Sequence, residues 1–518
     1  MANSIIPINV LSTPGVKRDG TLLEGNGYVD GQWMRFQRGF PRKIGGYRRL
    51  TNLLDGVGRG MKVFDQNNET YTHIGYGSTL QQMLIDPNGV VSTINDRTPA
   101  AFATSANNIW QFDQIYDGTS TELKILAHAA PNAADISSDT ATPLYYGEAT
   151  AGAVLTATTA TSVSGGVVVL HPYTFVFGSD GIVYWSAPNT PNDFAGAGSG
   201  SARVTSAKIV AGMPLRSGAG NAPSGLFWSL DHLIRATFTG GTTFFQFDTI
   251  TVQSSILSSQ SIIEYDGVYF WLGVDRFLLY NGVVRELPNN MNINYFFDNL
   301  NYTYRNRVFA YKVPRYGEIW WCYPRGSATE CTHAIIYNVR EDLWYDTELP
   351  DSGRSCGQYA QVFKSPLMCG VDADTSTGST TYKLWQHEFG YDSLDGVRVL
   401  AVESFFETAE FGLPVSENPQ VPGTSNRSII CNMLEPDFVQ TGDMQLVVKS
   451  RWNARSPEKT STPYTFTDTA TVPEEEIITI RETGRYMRFK FISNTQGGNY
   501  ETGKVLLHIQ NGDERIRS

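Results

Sequence analysis

The chain has 518 residues and a net charge of −11, and 41% of its residues are hydrophobic and 12% aromatic. This length predicts one large domain and at least one smaller one, and the hydrophobic content excludes a mostly disordered chain. The acidic balance argues against general binding of nucleic-acid phosphates, although an acidic channel would let DNA slide without sticking. Ordinary solubility is the simpler explanation of the same charge.

The cysteine pattern and the amino-terminal residues bear on where the protein is made. Five cysteines without a Cys-x-x-Cys pair argue against a zinc site or a disulfide framework, and they predict reduced, buried thiols in a protein synthesised in a cytoplasm. Residues 1–7 lack a basic region followed by an apolar run, so we expect no secretory signal. No stretch of about 18 apolar residues predicts a membrane span. The cysteines are Cys322, Cys331, Cys356, Cys369 and Cys431.

The first 50 residues form a basic arm on an acidic protein. Between Gly15 and Leu50, eight basic residues stand against three acidic ones. We expect this arm to dock on an acidic partner or on a neighbouring copy of the chain; contact with nucleic acid and a merely solvated face are the alternatives. The candidate interface residues are Arg35, Arg38, Arg42, Lys43, Arg48 and Arg49.

Residues 51–411 repeat short aromatic and β-branched runs that are separated by turn residues. The clearest example is 261–349, where Asp266-Gly267 and Asn281-Gly282 favour tight hairpin turns between runs of about five residues. Repeated meanders of this size predict a mainly β fold, a β-propeller of about six or seven blades. The stretches 129–166 and 195–225 are rich in Ala, Thr, Ser and Gly and are predicted to be decorating loops.

The carboxy-terminal part is predicted to be a separate strand-rich module. A last meander ends in a strand over Val397–Phe406, and Pro414–Ser425 is a predicted linker. Residues 412–518 then contain five further predicted strands. One of them begins at Arg485 and alternates basic with apolar residues, as a half-exposed strand should.

Known catalytic and metal-binding motifs are not matched. Asp372-Ala-Asp374 resembles the start of a calcium loop, but Lys383 occupies the position of the required glutamate. His387-Glu388 begins like a zinc-protease helix, but Tyr391 stands where the second histidine is needed. A pair of carboxylates for glycoside cleavage stays possible because acidic residues are plentiful. We therefore predict no catalytic residue, no metal site and no cofactor.

Five runs of the sequence are considered together: Pro14–Gly20, Trp33–Phe36, Gly39–Tyr47, Val183–Asn189 and Gly273–Gly282. In combination they resemble the packaged-DNA stabilisation, or tail-nozzle, proteins of P22-like short-tailed phages. The resemblance covers most of the chain in the order of its elements and is weaker in the middle loops and in residues 412–518.

This resemblance implies a β-propeller beside a platform domain in which the two chain ends meet, so that 1–50 and 412–518 are both parts of the platform. It also implies a homohexameric ring below the portal and the head-to-tail adaptor, in a virion tail. Such a ring extends the DNA channel without sequence-specific binding, retains packaged DNA, and carries a tail spike, fibre or needle.

Two other functions compete with this one. A propeller face could hold a carbohydrate or a receptor, with Trp320 and Trp321 stacking on sugars if these side chains are exposed rather than part of the core. The third possibility is a glycan-cleaving tail enzyme.

Overall fold

The computed structural model describes residues 6–66, 68–131, 136–215, 222–241, 243–376, 378–412, 427–467 and 477–514. The predicted linker Pro414–Ser425 lies outside the described residues. Within them, seven radial sheets, named here blades 1 to 7 in chain order, surround one axis, and a two-sheet platform packs against their last members. The predicted β-propeller with a strand-rich platform is confirmed.

Blades 1 to 3 are each built from four consecutive antiparallel strands, and the first strand lies nearest the axis. A short 3-10 turn, Ser179–Gly181, lies within blade 3. The strands of blade 1 are Met61–Gln66, Glu69–Gly75, Leu80–Ile85 and Val91–Asp96; those of blade 2 are Ile109–Asp117, Glu122–Ala130, Leu144–Glu148 and Thr156–Ala157; those of blade 3 are Gly166–Leu170, Tyr173–Phe177, Ile182–Trp185 and Gly200–Arg203.

Blades 4 to 6 follow the same order. An α-helix, Ile293–Asn299, and a 3-10 helix, Tyr302–Arg307, connect blade 5 to blade 6. The strands of blade 4 are Ile209–Pro214, Ser224–Ser229, Leu233–Phe238 and Phe245–Thr251; those of blade 5 are Ile263–Tyr265, Val268–Leu272, Phe277–Tyr280 and Val284–Glu286; those of blade 6 are Phe309–Val313, Glu318–Tyr323, His333–Asn338 and Leu343–Glu348.

Blade 7 closes the ring with strands from two distant parts of the chain. Its first three strands are Arg354–Ala360, Ser365–Gly370 and Tyr382–His387, and its fourth strand is Tyr47–Leu54. A hairpin, Asp392–Asp395 and Arg398–Ala401, extends this sheet outward. The inner strand of blade 7 contacts the inner strand of blade 1, so the first and last blades are neighbours.

The platform is a sandwich of two sheets made from both chain ends, because Ile6–Asn9 pairs with the last described strand. One sheet has the order Ile478–Gly484, Arg427–Thr441, Asn499–Glu514, Phe40–Lys43 and Met34–Gln37. The other has the order Asp30–Gln32, Ser404–Glu407, Tyr486–Ser493, Met444–Arg451 and Lys459–Thr460, with Tyr464–Phe466 also on Met444–Arg451. The strands Thr13–Val16 and Gly27–Tyr28 form a small parallel pair.

The hydrophobic core of the platform is continuous with blades 6 and 7. Trp33 and Met34 of the platform are buried in the same cluster as Trp320 of blade 6 and Trp385 of blade 7. The platform is therefore joined to the propeller through a buried aromatic contact, in which Trp33 meets Trp320 and Phe36 meets Tyr345 in the edge-on geometry that aromatic rings favour.

Four expectations about element positions change. The boundary predicted at residue 50 falls inside Tyr47–Leu54. This strand, rather than the predicted strand Val397–Phe406, completes the last meander. The sequence pattern does not predict this pairing, because the partner strand lies more than 300 residues away along the chain. The predicted loop 129–166 supplies Leu144–Glu148 and Thr156–Ala157 to blade 2. The predicted loop 195–225 supplies Gly200–Arg203 to blade 3 and the inner strand of blade 4.

Of the two turns predicted in blade 5, one is confirmed and the other is one residue longer than predicted. Asp266 and Gly267 have φ of +49° and +80° and join Tyr265 directly to Val268, as a two-residue hairpin requires. At the second turn, Tyr280 pairs with Val284. The loop there is therefore the three residues 281–283 rather than Asn281-Gly282 alone.

Candidate functional site: the propeller axis and the platform junction

The axis of the propeller encloses a cavity of about 430 Å³ that is lined by the inner strands of all seven blades. Each inner strand is the edge of its sheet, so its backbone N–H and C=O groups that face the axis need hydrogen-bond partners. Long polar side chains from neighbouring blades supply several of them. Asp113 accepts a hydrogen bond from the Val169 N–H at 2.8 Å, and Gln358 accepts one from the Val63 N–H at 2.7 Å.

Two glutamines close the end of the axis at which the inner strands begin, called here the narrow end. Gln260 of blade 5 donates to the carbonyls of Arg59 and Trp110, at 3.0 and 3.1 Å, and so reaches across to blades 1 and 2. Gln111 of blade 2 donates to the carbonyls of Gly165 and Val210, at 2.9 and 3.0 Å, towards blades 3 and 4. These bonds satisfy carbonyl groups of four blades with two side chains.

An ion-pair cluster and a buried apolar residue, Ile136, flank the narrow end. Arg59 binds Glu330 of blade 6 through both guanidinium nitrogens at 2.7 Å, and Arg307 reaches the same carboxylate at 2.7 Å. Ile136, which comes after the second strand of blade 2, lies in the buried cluster that contains Val210 and neighbouring residues of blades 4 and 5. The narrow end is thus held by contacts that span several blades.

The opposite end of the cavity, where the inner strands finish, is called here the wide end, and it carries two looser ion pairs. The Lys62 Nζ lies 3.4 Å from Asp113 Oδ1, and the Lys312 Nζ lies 3.4 Å from Glu264 Oε2. Their side chains keep 12–30% of their surface exposed, so these charges face the cavity. Charges in such a setting interact with solvent or with a small molecule at moderate cost.

The junction of platform and propeller contains a second, drier group of charges. Arg35 forks onto Glu318 of blade 6, with Nε at 2.8 Å from Oε1 and Nη2 at 3.1 Å from Oε2, and Arg35 also binds Glu388. The side chains of Arg35 and Glu318 are 1% and 0% exposed. Tyr345 and Trp320 donate further hydrogen bonds to Glu318, at 2.7 and 2.8 Å. A planar fork of this kind suits a buried carboxylate.

The prediction of an intermolecular interface is corrected for two of the six candidate residues, Arg35 and Lys43, because both side chains are buried within the chain. Lys43 donates to the carbonyl of Gly498 at 2.8 Å, and burial lowers the pKa of its ammonium to about 8. A buried group has no surface to offer to a partner. A basic residue type in the sequence does not distinguish an internal ion pair from an external one.

The other four candidates keep solvent-exposed surface. Arg38 and Arg42 reach Glu501 of the platform at 3.2 and 2.7 Å, and the Arg38 side chain is 76% exposed. Arg48 donates to Gln386 at 2.7 Å, and Arg49 pairs with Asp395 at 2.7 Å. Arg38 and Arg42 lie in the platform, whereas Arg48 and Arg49 lie on the closing strand of blade 7. Their role as an intermolecular interface stays a prediction.

The proposed sugar-stacking residues are not on the surface. Trp320 and Trp321 are 2% and 0% exposed, and each indole N–H has an internal acceptor, Glu318 at 2.8 Å and the carbonyl of Ser261 at 2.8 Å. Both side chains belong to the core, so the idea that they stack on a sugar is wrong.

Histidines and cysteines are also largely internal. Burial lowers the pKa of His128 and of His333 to about 4, and it lowers that of His73 well below its usual value. All five cysteines are free and buried, as predicted.

Among the residues that the structure describes, no group of three or more His, Cys, Asp or Glu side chains could hold a metal ion. No helix in the described ranges is long and apolar enough to cross a membrane.

Sequence reasoning missed the axial residues. Asp113, Glu264 and Lys312 stand in strands whose pattern alone does not reveal which strand is innermost. The only available signal was a charged residue inside an otherwise apolar run, as in Tyr311-Lys312-Val313. Their convergence depends on the closure of seven blades about one axis.

No protein-family model matches this chain, and no curated protein matches it. Among solved structures, the chain is similar to regucalcin, a calcium-binding protein from Agrobacterium tumefaciens, with 12% identity and a TM-score of 0.31. The match covers 68% of this chain and 97% of regucalcin. A likeness this distant supports no inference about the site.

Proposed function

We propose that this chain is a structural protein of the virion tail of a short-tailed phage, a nozzle or hub subunit that works as a closed homohexamer and catalyses no reaction. The ring extends the DNA channel below the portal and adaptor, helps to retain packaged DNA, and carries a tail spike, fibre or needle. Synthesis takes place in the host cytoplasm. The proposal starts from the resemblance of Trp33–Phe36, Gly39–Tyr47 and Gly273–Gly282 to tail-nozzle proteins.

The observation that carries the proposal is that strands from both ends of the chain together form the platform. The described residues of 6–46, 402–412, 427–467 and 477–514 contribute the strands of one sandwich that packs on blades 6 and 7, which is the arrangement that the resemblance implies. A platform fused rigidly to a propeller gives one stiff body. Stiff, identical bodies are what a closed ring needs, since each subunit must present the same two contact surfaces at a fixed angle.

The closed axis locates the DNA path in this proposal. Gln260 and Gln111 fill the narrow end with hydrogen-bonded side chains, so a duplex has no passage through one propeller. The bore of the ring therefore lies between subunits. The net charge of −11 on each copy supports a wall along which DNA moves without tight binding.

The rival functions have weaker support. Trp320 and Trp321 were the residues that favoured carbohydrate binding, and both are buried. The axial carboxylates Asp113 and Glu264 each lie beside a lysine. A glycosidase needs two carboxylates that flank the scissile bond, whereas here each carboxylate is paired with an ammonium group of the same chain. The glycan-cleaving alternative thus lacks a suitable pair at the axis.

Native mass spectrometry of the purified chain tests the proposal. We expect a species of six subunits, six times 57.3 kDa or about 344 kDa, that persists on dilution. A monomer or trimer at every concentration would contradict it. Release of sugar from host envelope by the pure protein would favour the enzyme instead, and we expect none.

A further inference from the structure

The wide end of the axial cavity presents its charges in a fixed order around the ring. Blade 1 contributes Lys62, blade 2 Asp113, blade 5 Glu264 and blade 6 Lys312, and blade 7 contributes Gln358 between the two lysines. Blades 3 and 4 line the gap between the two carboxylates with Val167, Val168, Met213 and Pro214. One side of the ring is therefore cationic and the opposite side anionic, with an apolar wall beside the anionic part.

The carboxylates are held in place by backbone groups rather than by the lysines alone. Asp113 accepts from the Val169 N–H and Glu264 from the Gly267 N–H, both at 2.8 Å. The lysine nitrogens stand 3.4 Å from these carboxylates, which is longer than a strong charge-assisted hydrogen bond, and the Lys312 Nζ also donates to the backbone carbonyl of Glu264 at 2.8 Å. An ammonium group has three N–H donors, so each lysine keeps donors for a ligand beyond the bonds named here.

Gln358 offers a further contact on the cationic side. Its Oε1 is occupied by the Val63 N–H at 2.7 Å, which directs the amide nitrogen away from that bond. Within the described ranges of the chain, this nitrogen has no hydrogen-bond acceptor. A donor of this kind between two ammonium groups suits an anionic oxygen.

We infer that the wide end of the cavity binds a small zwitterion of the amino-acid class. The carboxylate of the ligand lies between Lys62 and Lys312 beside Gln358, and its ammonium lies between Asp113 and Glu264. Its apolar side chain packs on Met213 and its neighbours. The volume of about 430 Å³ lies in the range of small-molecule sites, and the four charges sum to zero, which favours a ligand of zero net charge.

The site lies inside one subunit, so this inference does not depend on ring formation. It is tested with leucine as the probe, the full chain as the receptor, and isothermal titration calorimetry with ligand-observed NMR as the readouts. Isocaproate, which lacks the ammonium, and isoamylamine, which lacks the carboxylate, are the matched compounds. We expect each of them to bind at least about tenfold more weakly than leucine, because each lacks one of the two charged groups that contact the cavity.

Absence of leucine binding, equal binding of either truncated compound, or binding of glucose alone would overturn the inference. Lys62→Met and Asp113→Asn are expected to weaken leucine binding at least about tenfold. Lys124→Met is the control, because Lys124 pairs with Glu122 and does not line the cavity.

Met213→Trp provides a second variant that keeps every charge. The larger side chain fills the apolar wall, so leucine binding should be lost while thermal unfolding shows a folded protein. Unchanged binding by this variant would place the ligand elsewhere and contradict the inference.

Discussion

The platform junction and the propeller axis both pair basic side chains with carboxylates, but they do so in opposite environments. At the junction, Arg35 and Glu318 are 1% and 0% exposed and share two hydrogen bonds. At the axis, Lys62 and Asp113 are 22% and 23% exposed and lie 3.4 Å apart. The first pair is a structural joint, because a buried charge cannot be left alone. The second faces a cavity, where charges can exchange partners.

The largest expected effect comes from breaking the buried joint. Arg35→Met leaves the carboxylates of Glu318 and Glu388 without their cation, and it should lower the free energy of unfolding by about 3–5 kcal/mol. Urea denaturation measures it. Arg38→Met is the matched control, since the Arg38 side chain is 76% exposed, and it should change stability by less than about 0.5 kcal/mol. A loss of less than about 1 kcal/mol for Arg35→Met would show that water reaches the carboxylates of Glu318 and Glu388, and it would contradict the account of a buried ion pair.

An intermediate effect is expected from acid, through a buried histidine of blade 2. His128 is 0% exposed, and burial lowers its pKa to about 4, against about 6.5 in the unfolded chain. Its neutral form therefore stabilises the fold fully above pH 6.5, and that contribution is lost as pH falls towards 4, because the unfolded state binds the proton first.

The measurement compares urea denaturation at pH 7 and pH 4.5 for the wild type and His128→Gln. The wild type should lose about 2–3 kcal/mol more than the variant over this interval, as a pKa lowered to about 4 requires. Parallel losses in the two proteins would mean that His128 does not titrate in this range.

The smallest effect is expected at the axis. Lys62→Met removes the cavity-facing partner of Asp113, which still accepts from the Val169 N–H. The free energy of unfolding should fall by less than about 1 kcal/mol, as for other partly solvated pairs. A loss as large as that of Arg35→Met would erase the distinction between the two regions and make the axial charges structural.

The local features of the fold were predictable, and the distant pairings were not. Asp266-Gly267 specifies its hairpin through backbone conformation alone, so a short stretch of sequence sufficed. Thr156–Ala157 is an outer strand on the surface that needs no apolar side chain, so its sequence resembles that of a loop. Tyr47–Leu54 pairs with Tyr382–His387 across most of the chain, and no local pattern encodes that partner.

The same limit applies to the candidate sites. The excess of basic residues before Leu50 was evident, but the burial of Arg35 and Lys43 depends on Glu318 and Gly498, which lie far along the chain. The axial order of Lys62, Asp113 and Lys312 depends on the closure of the ring of blades. Residue type was visible in the sequence, whereas accessibility was decided by tertiary packing.

Electron cryomicroscopy of the purified assembly tests the central claim most directly, because it records both symmetry and the position of the bore. We predict a six-fold ring whose open channel lies between subunits, with the axis of each propeller closed by side chains at its narrow end. Lone subunits, or a continuous channel through the axis of a single propeller, would contradict the account.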